Sequence, residues 1–273
     1  MSAILQLNEL TAIFNNQISK LPNDVGLCLS GGIDSVALLS LLLKSDKNIT
    51  IYSFTLQNYI SEDFKRAKEL ANRFNCKFIP IYLPIDIDAL KRDIIKLHQQ
   101  YACIKKTEYE CVWPFLYVYP KITESVIVAG LGAEGHFGST KRGSIHFKND
   151  LDSFRKQFFN KDANPGQIQQ HIKLCKEYSL NLWFPFLSND IITFFMGKTW
   201  NDINKPKIKQ PILDLIDFDF SPKSSNLQIG SNIRNHFDLL LKTDWNIAGY
   251  KSIVGILNSI NRKYEINGKR KLI

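Results

Sequence analysis

The sequence predicts an α/β protein: a doubly wound parallel sheet followed by a mostly helical C-terminal part. Three observations predict it. Short apolar runs alternate with amphipathic helical patterns through the first half of the chain, a Gly-Gly turn joins the first run to its helix, and the strand signal fades after about residue 144. Strand alternating with helix requires right-handed crossovers, so the strands lie parallel and helices cover both faces.

The elements follow in order. Residues 1–22 place Leu7, Leu10, Phe14 and Ile18 on one helical face, as in a packed amphipathic helix. They lack the basic start and small-residue cleavage site of a signal peptide. Four runs read as buried strands: 25–29 (VGLCL), 49–56 (ITIYSFTL), 77–83 (KFIPIYL) and 125–130 (SVIVAG). Helical patterns lie between them at 34–43, at 62–74 and from about 87 to 99. In the second, Phe64, Ala67, Leu70, Ala71 and Phe74 share a face. Beyond residue 144, segments 150–159, 165–178, 189–196, 233–241 and 248–261 read as helices. The expected division is an α/β part over 1–145 and a helical part over 146–273 that closes a cleft at the carboxyl edge of the sheet.

Composition narrows the class. The 273 residues are 44% hydrophobic and 22% charged, enough apolar surface to offset the entropy of ordering, which excludes a disordered chain. No apolar run approaches the roughly 20 residues of a membrane-spanning helix. Five scattered cysteines with no CxxC pair argue against a disulfide scaffold and a zinc ribbon. A cytoplasmic protein that makes no use of a membrane is expected. The net charge is +9, and 13 basic against 7 acidic residues from Lys198 onward supply +6 of it. Such a tail suits a phosphate-bearing substrate, a nucleic acid or a solvated surface alike.

The strongest local signal is Ser30-Gly31-Gly32-Ile33-Asp34-Ser35, directly after a strand and directly before a helix. Gly31 and Gly32 let the backbone turn sharply and approach a phosphate with no Cβ in the way. The helix then points its unpaired N–H groups at that anion. Ser30 and Ser35 add hydroxyl donors. Asp34 would repel a phosphate unless a cation intervenes, so its presence implies Mg²⁺. A serine and aspartate cap after a glycine turn is the bland alternative. The Walker lysine and the GxGxxG fingerprint are both absent.

This loop resembles the SGGxDS loop of the PP-loop ATP pyrophosphatase superfamily, whose adenine-nucleotide fold binds ATP and releases pyrophosphate. Ala129-Gly130-Leu131-Gly132-Ala133-Glu134-Gly135-His136-Phe137-Gly138 resembles a second-motif segment of the asparagine synthetase family. Trp183-Phe184-Pro185-Phe186-Leu187-Ser188-Asn189 resembles that family's P-F-L segment, and Phe54-Thr55-Leu56 sits where its second strand ends. The likeness extends from about residue 21 to about residue 230. It implies a ligase that uses ATP and Mg²⁺ to activate a small carboxylate as an acyl-adenylate, for attack by ammonia or an amine. By the same likeness Ser30, Gly31, Gly32, Asp34, Ser35, Thr55, Gly130 and Gly132 hold the nucleotide, and Asp34 and Glu134 hold the metal. Glu134 also takes a catalytic role. The family's glutaminase half has no counterpart here, so a separate amidotransferase subunit is one source of ammonia.

Two positions depart from the pattern. Leu131 stands where the family has a glutamate, and Gly135 replaces a second acid, so asparagine is not the expected product. The lysine that the family places beyond the P-F-L segment maps best to Lys223, in a stretch somewhat like K-x-x-F-S-x-G; Lys209, in KPKIK, is the fallback. His136 offers an acid/base group or a loop hydrogen bond. Lys141 and Arg142 offer an anion site or a solvated turn. Cys103 and Cys111 fit buried thiols better than a sulfur-transfer pair. The aromatic stretch Trp113, Phe115, Tyr117 and Tyr119 fits core packing better than base stacking. Two other functions remain open: modification of a nucleobase or nucleic acid, favoured by the basic end at Lys269-Arg270-Lys271, and an inactive nucleotide-binding module.

Overall fold

The computed structural model describes residues 3–160, 163–164, 167–221, 227–245 and 253–263. Its first half alternates as the sequence predicts: α1 (Ala3–Ile18), β1 (Asp24–Cys28), α2 (Ile33–Leu43), β2 (Asn48–Leu56), α3 (Glu62–Arg73), β3 (Lys77–Leu83) and α4 (Ile87–Tyr101). Helices α5 (Lys106–Val112) and α6 (Phe115–Val118) precede β4 (Val126–Val128). Short helices α7 (Glu134–Phe137) and α8 (Lys141–His146) follow, then α9 (Leu151–Phe158), α10 (Ile168–Lys176), β5 (Asn181–Trp183) and α11 (Asn189–Phe195). The described chain ends with α12 (Trp200–Asn204), α13 (Gln210–Leu213), α14 (Leu227–Gly230), α15 (Ile233–Trp245) and α16 (Ile253–Lys263).

All five strands pair in parallel in the order β3-β2-β1-β4-β5. The chain steps outward from β1 to β3 and then crosses back to β4, so the order reverses between β1 and β4. Helices diverge at such a point and leave a crevice beyond the carboxyl ends of the two strands. The fifth strand comes from the half expected to be helical, so the sheet crosses the expected boundary near residue 145.

Side chains alternate across each strand and feed two cores. Val25, Leu27 and Ile51 face one core with α1, α2 and α11; Tyr52, Leu56 and Ile127 face the other with α4, α5 and α15. Helix α2 is apolar nearly all round, and every residue from Ser35 to Leu42 is buried. That composition suits a helix enclosed on all sides, here by the sheet, α1 and α13. Ser61 and Asp86 cap α3 and α4 through the N–H groups of Phe64 and Ala89. The aromatic stretch forms core: Trp113, Phe115 and Tyr119 are buried, and Trp113 meets Phe237 edge-on. No helix among the described residues is long and apolar enough to cross a membrane.

Candidate active site

The β1–β4 crevice is built first by the loop that leaves β1. Gly31 has φ +72°, and a Cβ there would lie 2.7 Å from Arg66 Cβ, so glycine is required twice over. No side chain caps α2 at Gly32, which leaves its first-turn N–H groups directed into the crevice without a side-chain acceptor. The serines are wired within the loop. Ser35 Oγ donates to Gly32 O at 3.1 Å, Gly32 N–H donates to Ser30 Oγ at 3.3 Å, and the two hydroxyls lie 3.1 Å apart. Arg66, from α3, lays its stem over Gly31 and donates to the Gly31 carbonyl at 3.4 Å. Nothing in the sequence pattern singles out Arg66; only the packing of α3 against the loop brings its charge there.

The other lip comes from β4. Gly130 passes so close to α2 that a Cβ would sit 3.1 Å from Asp34 Cβ. Lys209 reaches across and places Nζ 2.5 Å from Asp34 Oδ2, while Asp34 Oδ1 is buried with no hydrogen-bond partner. Burial raises the Glu134 carboxyl above its usual range; the Lys209 ammonium opposes that rise and the Asp34 charge adds to it. Asp34, Lys209 and Glu134 thus form one electrostatic cluster. Lys223 lies outside the described residues, as do Lys269, Arg270 and Lys271. Lys209, the fallback from the sequence, meets Asp34 of the loop.

The second and third motifs meet each other. Gly132, at φ +88°, packs so tightly on Leu187 that a Cβ would fall 2.3 Å from Leu187 Cδ2. His136 is fully buried and donates through Nε2 to the Phe186 carbonyl at 2.6 Å. Burial drives its pKa down to about 3, so the ring is neutral and serves the core rather than acid/base chemistry. A Cβ on Gly135 would lie 2.2 Å from Phe158 Cδ1 and 2.7 Å from Phe159 Cζ, so aromatic rings fill the space that an acidic side chain would need. Thr55 is fully buried; its hydroxyl donates to Tyr59 O at 2.5 Å and accepts from Ser61 N–H at 3.0 Å. Its side chain shapes the 57–61 turn. Burial pushes the Cys111 thiol up to about 12, with Glu110 and Glu134 adding to the rise, and it raises the Cys103 thiol as well. Neither is an activated nucleophile.

The Gly31–Gly32 loop and the uncapped N-terminus of α2 lie at the switch point of the parallel sheet, the place where open α/β folds bind their ligands. Residues 20–142 match the asparagine synthase family model. No curated protein matches the sequence. Similar solved structures include the NMN synthetase of Francisella tularensis, at 14% identity over 98% of each chain with a TM-score of 0.37. A tRNA thiolase of Methanococcus maripaludis shares 14% identity, covering 98% of this chain and 84% of its own, with a TM-score of 0.39. The NH3-dependent NAD synthetase of Campylobacter jejuni shares 15% over 76% of this chain and 97% of its own, with a TM-score of 0.35.

Proposed function

We propose that the protein is a ligase of the asparagine synthetase type, which uses ATP and Mg²⁺ to activate a small carboxylate as an acyl-adenylate. A carboxylate oxygen attacks the α-phosphorus, the bond between the α- and β-phosphates breaks, and pyrophosphate leaves. The nitrogen of ammonia or an amine then attacks the acyl carbon, loses a proton, and displaces AMP. The observation that carries this reading is the Lys209–Asp34 pair across the β1–β4 crevice, which sets a cation and a carboxylate together at the mouth of an uncapped helix.

The residues around the crevice divide the work. The N–H groups of α2, and Arg66 beside Gly31, receive the departing pyrophosphate. Lys209 stabilises the charge that grows on it, a role in which electrostatic placement supplies most of the acceleration. The donor set fits Mg²⁺: Asp34 Oδ1 is buried and unpartnered, and Glu134 offers a second hard oxygen ligand nearby. Among the described residues no group of three or more His, Cys, Asp or Glu could hold a metal ion, so Asp34 and Glu134 are the residues that would hold it. Held there, Mg²⁺ would supply positive charge against the phosphates. Leu131 and Gly135 remove the acids of the family pattern, which points away from aspartate as the acid activated.

The test follows AMP and pyrophosphate from Mg·ATP with pooled carboxylates, with and without ammonia, beside an Asp34→Ala control. Pyrophosphate that depends on one acid and disappears in the control supports the reading; ADP and phosphate as products overturn it. Exposed Lys205 and Lys207, on the loop that carries Lys209, favour a second reading with a nucleic-acid substrate. Salt-dependent tRNA binding that competes with the acid would select it.

A further inference from the structure

Asn204 closes α12 and is 3% exposed. Both ends of its amide are engaged. Nδ2 donates to the Phe137 carbonyl at 3.1 Å, at the end of α7, and Oδ1 accepts from the backbone N–H of Lys209 at 3.1 Å. Lys209 itself has φ +63°, a left-handed conformation that a residue with a Cβ adopts at a cost and keeps where its surroundings fix it. From that backbone its ammonium reaches Asp34.

The far end of the same segment is anchored separately. Ser40 Oγ accepts from Asp217 N–H at 3.3 Å and donates to the Leu215 carbonyl at 3.0 Å, and Lys44 pairs with Asp217 at 3.2 Å. Loss of the Asn204 amide therefore releases the near end, which carries the lysine, and leaves the anchor on α2 in place.

We propose that Asn204 is the positioning residue for Lys209. Its amide ties the backbone of the lysine to the second-motif helix, so that the ammonium and Glu134 are set in register over the phosphate loop. This rests on the reading of Lys209 as the lysine that faces the ATP phosphates.

The experiment uses the full chain and an ATP acyl phosphate, which transfers its acyl group to a lysine amine beside the γ-phosphate and releases ATP. Acylation is read by mass spectrometry of the Lys209 peptide, alongside Mg·ATP affinity and thermal melting. The wild-type chain is expected to acylate at Lys209. Asn204→Ala is expected to lose about ten-fold or more of that acylation with Mg·ATP affinity held within about two-fold, since misplacement by about 1 Å can cost on the order of 100-fold. Asn204→Asp keeps the acceptor for Lys209 N–H but sets a buried carboxylate against the Phe137 carbonyl. It is expected to melt below Asn204→Ala and yet acylate Lys209 faster.

Unchanged acylation in Asn204→Ala overturns the proposal, and so does acylation that follows melting temperature across the three chains. A wild-type chain that binds Mg·ATP without acylating Lys209 also overturns it. A wild-type chain that fails to bind Mg·ATP overturns the reading beneath it as well.

Discussion

The two lips of the crevice differ in what they are built to receive. The β1–α2 lip is open to charge: an uncapped helix, a buried carboxylate oxygen without a partner, and the cations of Arg66 and Lys209. The β4–α7 lip is filled. Gly135 lies against Phe158 and Phe159, Gly132 against Leu187, and His136 is a neutral core residue hydrogen-bonded to Phe186. In the proposed reading, the first lip receives the phosphates of the nucleotide. The second lip keeps one carboxylate, Glu134, and is otherwise packed: aromatic rings occupy the space beside Gly135. Under the proposed function, such a site would keep ATP as its energy source and take a different acid.

The comparison can be broken first at Lys209. Lys209→Ala is expected to lower kcat for pyrophosphate release by about 100- to 1,000-fold with a smaller change in KM, as when a group that acts on transition-state charge is removed. A loss confined to KM would assign the lysine to binding alone. Arg66→Ala comes next, with an expected fall in pyrophosphate affinity of about ten-fold, the scale of one charge-assisted hydrogen bond; calorimetry with Mg-pyrophosphate checks it. On the filled lip, Gly135→Ala forces a Cβ into the Phe158 ring and is expected to destabilise by about 1–3 kcal/mol. Differential scanning calorimetry should show the drop, and an unchanged melting temperature would mean that the lip is loosely packed.

A separate effect is in the pH dependence of stability. Burial lowers His136 and His171 from 6.5 to about 3 and His236 to about 4. These rings stay neutral in the folded chain while the unfolded chain takes up protons below 6.5. Stability therefore falls as the pH drops from about 6.5 toward 4, by up to about 1.4 kcal/mol per pH unit for each ring. His136→Gln keeps a donor for Phe186 O and is expected to shallow that slope by one ring's share, measured from urea midpoints.

Much of this was legible in the sequence. The four apolar runs became β1 to β4 in order, and the loop 30–35 sits where strand and helix patterns meet. Strand β5 was not legible, because three residues carry too little periodicity to register. Similarity to a short stretch favours Lys223, which lies outside the described residues. The Lys209 backbone is bonded to the Asn204 amide, and the far end of its segment is bonded to Ser40; both contacts join separate elements, which a local sequence pattern does not show. Arg66 lay hidden among the polar positions of α3, since a helical pattern separates buried from exposed faces and does not say which loop an edge residue overhangs. The filling of Gly135 by Phe158 and Phe159 likewise joins residues more than twenty positions apart.

The central claim is that the bond broken in ATP lies between the α- and β-phosphates and that the acid becomes joined to AMP. It is tested most directly with the activated acid labelled by ¹⁸O in its carboxylate, incubated with the protein, Mg·ATP and the amine. The account predicts one ¹⁸O atom in the phosphate of AMP, with unlabelled pyrophosphate. Label in inorganic phosphate with ADP as the nucleotide product, or AMP that carries no label, would contradict it.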